Sequence, residues 1–449
     1  MKRIYPVLTV FILVLFLNAF PVYGAPAAEP AKVKAEAAIL TDWKTGKILY
    51  EKNIHQKVYP ASITKILTAL LVLEDLDMKE SVTVGKEINL VEKDASEAGL
   101  VLGEKITGSD LIWAMMLPSG NDAAYTAAVT VARKKSGNAS MEIKDAVTYF
   151  SDLMNKKAQE IGAKESHFAN PDGYPNEDHY SSAYDLALIA KEAMKNDFFR
   201  EVVGTYTYTI QDAQFLKGSK APAPWLNRNL LLNPKSKYYY SYATGIKTGH
   251  TSLAGYCLAA SAEKDGMTLI AVVLKADKEE TRCVDAKNLF EYGFGQFKYH
   301  TLFKKGDKVA AVKVSRKYFG KETDLDVQAD KDFTDILTDA DFAALQKNTS
   351  WDKKLVLHED GAGAVKLLGP IKSGQVLGQV SYTLNGKVMA ESNLVAAQDT
   401  SKGGLSDTVE SVLDQAIRYK YYVLAGIVLV VGALVILIRR GSKKKGKSQ

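Results

Sequence analysis

Cysteine is scarce: Cys257 and Cys283 are the only two in 449 residues, too few for a disulfide framework. A single bridge is open to them, but two reduced, unpaired thiols are the simpler expectation, with Cys257 inside the apolar run Ala254–Ala260. Histidine is also rare. His55, His167, His179, His250, His300 and His358 form no ligand-spaced cluster, and no His-Glu-x-x-His segment occurs. No metal and no cofactor are therefore expected. A Gly-x-Ser-x-Gly elbow is missing too, which speaks against the α/β-hydrolase plan. There is no internal repeat.

Real charge excess is also missing. The formal balance is +6, from 58 basic and 52 acidic residues. Two of the basic residues are Lys2 and Arg3, and six more lie in 439–449, leaving 50 against 52. The basic character thus reports the chain ends and gives no reason to expect nucleic-acid binding.

Those ends carry the long apolar runs. Lys2 and Arg3 precede the run Val7–Phe20, with small residues at Gly24 and Ala25. This pattern predicts a signal peptide over 1–24. Tyr421–Ile438 is an uncharged stretch of 18 residues, about 27 Å as a helix, enough to cross a bilayer core. The basic tail 439–449 follows. The positive-inside rule puts it in the cytoplasm and the bulk of the chain outside, extracellular or periplasmic.

Between the ends, the strand-like segments Ala37–Leu40 and Lys47–Tyr50 flank a turn closed by Gly46. Helical periodicity begins after Pro60 over Ile63–Leu73 and returns at Ser109–Leu117, Ala123–Arg133, Glu142–Glu160, Ser182–Lys195 and Asp285–Phe294. Leu253–Ala262 and Met267–Leu274 read as buried strands. From about Lys304 short alternating segments take over, with Asn385-Gly386 offering a two-residue hairpin turn after Val376–Leu384. The resulting division is 25–300 for a first domain and 301–397 for a β-rich second. A linker and amphipathic helix occupy 398–420, and the span covers 421–438.

Three short motifs carry the chemistry. They are Ser62-Ile-Thr-Lys65, Ser119-Gly-Asn121 and Lys247-Thr248-Gly249. Each has decoys: Ser-x-x-Lys recurs at Ser261, Ser350 and Ser442, Ser-Gly-Asn at Ser136, and Lys-Thr-Gly at Lys44. Context separates them. In a helix starting near Ser62, positions i and i+3 share one face, so Lys65 can touch the Ser62 hydroxyl. A serine hydroxyl needs a neighbouring base to be a useful nucleophile. Lys65 can be that base only when neutral, and burial together with a second cation, Lys247, would favour this. Ser119-Gly-Asn121 falls between two helices, and Lys247-Thr-Gly249 leads into the strand Leu253–Ala262. The decoys fall at a strand end, in the β-rich domain, in the tail and in surface turns.

The segments Tyr59–Lys65, Leu117–Ala124, Phe168–Pro175, Ser182–Ala187 and Lys247–Tyr256 resemble, in this order, the serine-type D-alanyl-D-alanine carboxypeptidases, the low-molecular-mass penicillin-binding proteins. The resemblance covers about Ala35 to Phe297. It implies an α+β penicillin-recognising fold: an antiparallel sheet with flanking helices plus a helical subdomain, followed by a small β-sandwich-like domain and the membrane helix. It also implies roles. Ser62 would be the nucleophile and Lys65 its base. Ser119 would relay a proton, and Asn121 would hold a substrate amide. Lys247 would keep the site positive, and Thr248 would bind the terminal carboxylate. The N–H groups of Ser62 and His250 would form an oxyanion hole, with Gly249 permitting a close approach. Arg282 is a candidate carboxylate steerer. The implied substrate is the peptidoglycan stem peptide, with β-lactams as covalent inhibitors and the membrane as anchor. A β-lactamase or D,D-endopeptidase of the same fold and a non-catalytic penicillin-binding sensor or scaffold are the alternatives. The Glu-x-x-Leu-Asn segment of class A β-lactamases is absent.

Overall fold

The computed structural model describes residues 31–210, 224–316, 322–359, 364–400 and 405–445. The expected signal peptide and the break at 401–404 lie outside them. The chain divides into two compact units between Lys298 and Tyr299.

The first unit is built on a five-stranded sheet. Its strands are β1 (Ala37–Asp42), β2 (Ile48–Lys52), β7 (Ala243–Thr251), β8 (Gly255–Lys264) and β9 (Met267–Ala276), in the order β2-β1-β9-β8-β7. Every neighbouring pair is antiparallel. All six residues of β1 are buried, because helices cover both faces of the sheet, and a strand buried on both sides reads as a continuous apolar run. Short ladders join β3 (Ser81–Thr83) to β4 (Lys105–Thr107) and β5 (Thr207–Tyr208) to β6 (Trp225–Leu226).

The helices of this unit are α1 (Lys65–Asp75), α2 (Gly108–Met116), α3 (Asn121–Ser136), α4 (Ile143–Ile161), α5 (Ala183–Ala193), α6 (Asp197–Gly204) and α7 (Glu279–Gln296). Helices α5 and α7 pack on β9, while α2, α3, α4 and α5 surround α1. The first eight residues of α1, Lys65 to Val72, are accordingly buried on every face, as expected of a helix that runs through a core. Local chemistry sets the ends. Thr107 Oγ1 accepts the Asp110 N–H at 3.0 Å to cap α2, and Gly137, at φ 70°, closes α3. The second Ser-Gly-Asn is thus a helix end, and Lys44-Thr-Gly46 is the β1–β2 turn, with Gly46 at φ 77°. Ser261 lies inside β8, buried, while Lys264 ends the same strand. Cys257 and Cys283 are both buried and unpaired.

One expectation needs correcting. Lys247-Thr248-Gly249 does not precede the strand at Leu253 but lies within its own strand, β7, which pairs with β8 through Lys247 opposite Ala259. Leu253 is in the connecting turn and 59% exposed. The polar residues of β7 hide its strand character, because this edge strand faces a cleft rather than a second layer of core.

The second unit holds β10 (Phe297–Phe303), β11 (Lys308–Arg316), β12 (Glu322–Ala329), β13 (Phe333–Thr338), β14 (Gln346–Trp351), β15 (Val356–Glu359), β16 (Val365–Gly369), β17 (Val376–Leu384) and β18 (Lys387–Ala396), with the short α8 (Asp339–Ala343). Seven of them form one sheet, in the order β14-β17-β18-β12-β11-β16-β15, and β10 pairs with β13. Leu325, Val327, Leu367, Leu377, Val380 and Leu394 fill its core. Asn385 and Gly386 turn β17 into β18 with φ of 51° and 79°, the double left-handed geometry of a type I′ turn.

The chain then continues as one helix, α9 (Leu405–Lys445). The expected division at 420/421 between an amphipathic helix and a span is not a structural break, because no proline lies between them to interrupt the backbone hydrogen bonds. The part long and apolar enough to cross a membrane is Val412–Ile436.

Replacing Gly386 by valine puts a β-branched side chain at φ 79°. The expected cost to the second unit is about 1–2 kcal/mol, read as an earlier unfolding transition by calorimetry, with the transition of the first unit unmoved.

Candidate active site

Pro60 leads into a single 3-10 turn, Ala61–Thr64, that runs directly into α1. Ser62 therefore stands one turn before Lys65, at the start of a helix buried on every face over its first eight residues. Lys65 is fully buried, and its Nζ lies 2.9 Å from Ser62 Oγ, 2.7 Å from Asn121 Oδ1 and 2.8 Å from the Asp172 carbonyl oxygen. Three segments distant in sequence thus converge on one amine. Burial pushes the Lys65 ammonium down to about 8, against the opposing pull of Asp172 and Asp122.

Asn121 opens α3. The preceding Ser119 is buried at φ 68°, and it lines the same cavity as Ser62. Gly120 has no room for a side chain: an added Cβ would lie 2.7 Å from Ala98 Cβ and 2.8 Å from the Ala114 carbonyl. Asp122 fastens this corner. Its Oδ1 accepts the N–H groups of Ala98 and Ala123, and its Oδ2 those of Gly99 and Leu100, at 2.8–2.9 Å. The Asn121 N–H donates to the Ser96 carbonyl at 2.8 Å.

Asp172 is presented by a tight loop in which Asn170 Oδ1 accepts the Gly173 N–H at 2.8 Å. Gly173 sits at φ 83°, and a Cβ there would fall 2.0 Å from the Ala61 carbonyl. Thr68 Oγ1 donates to the Pro171 carbonyl at 2.6 Å. His179 locks the same loop. Its Nδ1 accepts the Ala169 N–H at 3.2 Å, so its Nε2 carries the proton and donates to Thr64 Oγ1 at 2.8 Å. Burial pushes His179 down to about 3, so it is a neutral structural link at working pH.

Across the cleft, β7 is the sheet edge, and Thr248, Gly249 and His250 line the cavity. A Cβ on Gly249 would lie 3.0 Å from the Pro60 carbonyl and 3.1 Å from the Ser62 nitrogen. The two backbones therefore touch, as Gly249 in the sequence predicts. Lys247 is 1% exposed, and its ammonium is pushed well down, first by burial and then by Lys65, Arg228 and Arg282. Arg282 is 4% exposed. One of its terminal nitrogens donates to the carbonyls of Gly249 at 3.0 Å and Cys257 at 3.3 Å, and the other pairs with Glu279 at 2.5 Å. Arg282 thus braces β7 and β8 while lining the cavity. The cavity of about 450 Å³ also includes Arg228, a cation the sequence reading did not single out.

The structure brings Ser62, Lys65, Ser119, Asn121, Lys247, Thr248, Gly249, His250 and Arg282 to one cleft. Sequence reasoning missed the work of Asp122, Asp172, His179 and Arg228. Asp172 acts through its backbone carbonyl, which leaves no side-chain signature. Asp122 directly follows Ser-Gly-Asn and could have been suspected as a loop clamp. Among the described residues there is no group of histidine, cysteine and carboxylate side chains fit to hold a metal ion.

A serine in contact with a buried lysine, backed by a second serine and a second lysine, defines a serine acyl-transfer enzyme. Residues 25–278 match the peptidase S11 family, D-alanyl-D-alanine carboxypeptidase, and residues 297–402 match the C-terminal domain of penicillin-binding protein 5. The D-alanyl-D-alanine carboxypeptidase DacF of Bacillus subtilis is 33% identical over 94% of this chain and 100% of its own length. The D-alanyl-D-alanine carboxypeptidase of Streptomyces sp. K15 is 37% identical over 56% of this chain and 84% of its own. Among solved structures, penicillin-binding protein 5 from Haemophilus influenzae aligns at TM-score 0.61 and 29% identity, covering 83% of this chain and 99% of its own. The chain belongs to the D-alanyl-D-alanine carboxypeptidase family of serine peptidases.

The base form of Lys65 is the neutral amine, so acylation should gain from rising pH. About a tenth of a group with pKa 8 is neutral at pH 7. The rate of penicillin adduct formation is expected to rise with pH and level off above about 8. Stopped-flow acylation across pH 6–10 checks this, and a flat profile would exclude Lys65 as the titrating base.

Proposed function

We propose that the protein removes the terminal D-alanine from peptidoglycan stem peptides through an acyl-enzyme on Ser62, and that β-lactams acylate the same serine. The observation that carries this reading is the three-way contact of Lys65 Nζ with Ser62, Asn121 and Asp172. As an ammonium, Lys65 donates to all three. As a neutral amine it keeps two N–H groups and one lone pair. Asn121 Oδ1 and the Asp172 carbonyl can only accept, so they take the two N–H groups. The lone pair is left for the Ser62 hydroxyl, whose proton it accepts as Oγ attacks the scissile carbonyl. The fold thus orients the base before substrate arrives.

The remaining roles follow the same cleft. The unpaired edge of β7 suits a peptide added in extended form, held by main-chain hydrogen bonds. The N–H groups of Ser62 and His250 would receive the oxyanion, with Gly249 keeping the two backbones close. Thr248, in a field made positive by Arg228 and Arg282, would take the terminal carboxylate. Ser119 would pass the proton to the departing D-alanine, and water would then release the acyl group. Arg282, held by two carbonyls and Glu279, contributes to that field from a braced position.

The domain reading is a signal peptide 1–24, a catalytic unit 25–300, a β-rich unit 301–397 and a helical anchor; the junction at Lys298/Tyr299 supports its division between the two units. We place the catalytic unit on the outer side of the cell membrane, supported by the apolar segment of α9 and the basic residues after it. A cysteine introduced near the C-terminus should be shielded from a membrane-impermeant maleimide in intact cells, while one on the catalytic surface should be labelled. The reverse pattern would refute the orientation.

Incubating the protein with labelled benzylpenicillin and with a peptide ending in D-Ala-D-Ala tests the chemistry. Wild type should form a covalent adduct and release D-alanine, and Ser62→Ala should do neither. An adduct on the variant would show a different nucleophile. Rapid penicillin turnover without adduct would favour a β-lactamase.

A further inference from the structure

The wall that would receive the terminal carboxylate carries a carboxylate of its own. The cavity lined by Thr248, Arg228 and Arg282 is also lined by Glu279. Glu279 opens α7, one turn before Arg282, and pairs with one of its terminal nitrogens at 2.5 Å. On an open surface, helix stability alone would explain such a pair, since a first-turn carboxylate suits the helix dipole and i, i+3 neighbours attract. Here the two partners differ in setting. The Arg282 side chain is 5% exposed and that of Glu279 45%, so a cation fixed inside the wall is met by an anion from the solvent side.

Glu279 is not what aims Arg282. The other terminal nitrogen donates to the Gly249 and Cys257 carbonyls at 3.0 and 3.3 Å, and the guanidinium carbon lies 5.4 Å from the centre of the Tyr256 ring. These contacts hold the guanidinium against β7 and β8 without Glu279. Arg282 also has donor capacity to spare, because its buried Nε has no hydrogen-bond partner among the described residues. What Glu279 adds is negative charge, and the second arginine feels it too. Partial burial and then Arg282 push the Arg228 guanidinium down from its ordinary value, and Glu279 opposes them. Asp94 also lines this cavity, and its Oδ1 accepts the Tyr174 hydroxyl at 3.2 Å.

We propose that Glu279 is a built-in counter-ion that competes with the terminal carboxylate of the substrate for Arg282 and Arg228. It thereby sets how tightly the cleft holds carboxylate ligands, the released D-alanine included. Glu279 acts through the two arginines and takes no part in making or breaking bonds. This inference rests on the carboxypeptidase reading and adds to it a residue that tempers binding.

The test compares wild type with Glu279→Gln, which keeps the length of the side chain, in the full-length, detergent-solubilised protein. With Nα,Nε-diacetyl-L-Lys-D-Ala-D-Ala the variant should show about fivefold higher kcat/KM, as for loss of one partly solvated competing charge. The gain should come through KM, with kcat at its wild-type value, and raised salt should shrink it. Acylation by benzylpenicillin should quicken by a similar factor, while acylation by its methyl ester, which lacks the charge, should keep its wild-type rate. A damaged helix start would lower these rates and could not tighten binding. Unchanged or weaker binding of the peptide, or an equal change with penicillin and its ester, would overturn the inference alone. If wild type neither releases D-alanine nor forms a penicillin adduct, the carboxypeptidase reading falls and this inference with it.

Discussion

The rest of the site depends on one constraint, an amine with no access to bulk water. Lys65 lies inside the apolar first two turns of α1, where an isolated ammonium would cost several kcal/mol in lost hydration. Three acceptors, one from each of three segments, offset that cost without abolishing it. The balance leaves the amine near 8 rather than above 10. That is close enough to neutrality to act as a base, yet fully hydrogen-bonded in either charge state. Arg228 adds positive charge nearby that further favours the neutral form of Lys65, and Lys247, also buried, is itself depressed by Lys65, Arg228 and Arg282.

Such an arrangement tolerates little slack, and the backbone supplies the rigidity. Gly120, Gly173 and Gly249 lie where a methyl group would collide with main chain or fixed side chains. Each marks a place where two segments touch through their backbones: Ser119–Asn121 against the Ala98 loop, Asp172–Gly173 against Ala61, and β7 against the Ser62 turn. The Asp122 carboxylate, with four N–H groups around it, and the neutral His179–Thr64 link hold the flanking loops. The reactive atoms are positioned by main chain and buried polar groups rather than by mobile surface side chains.

Much of the fold was legible because local rules and global packing agree. The helices after Pro60, Ser109 and Glu142 followed their apolar period. The Asn385-Gly386 hairpin formed where a type I′ turn demands those residues. The one correction, at β7, has a local cause. β7 carries Thr, Lys and His on a face that lines the cleft, so its alternation is not apolar and polar, and Lys247-Thr-Gly249 was assigned to the approach to a strand instead of its interior. The change in hydropathy at 420/421 leaves no mark on the backbone, because helical hydrogen bonds are indifferent to it.

Within the site, residue types at set spacing singled out Ser62, Lys65, Ser119, Asn121 and Lys247 as candidates, because i and i+3 are neighbours on any helix and because decoys could be dismissed by context. The sequence alone therefore determined which groups were available for acyl transfer and where the chain could carry an export signal and an anchor. Only the tertiary structure decided that Lys65 meets the Asp172 carbonyl, that Arg282 braces two strands, and that Arg228 joins the same cleft. The reason is physical. Contacts within one turn follow from helix geometry, whereas contacts between segments 25 to 107 residues apart depend on loop closure and core packing, which no local pattern encodes.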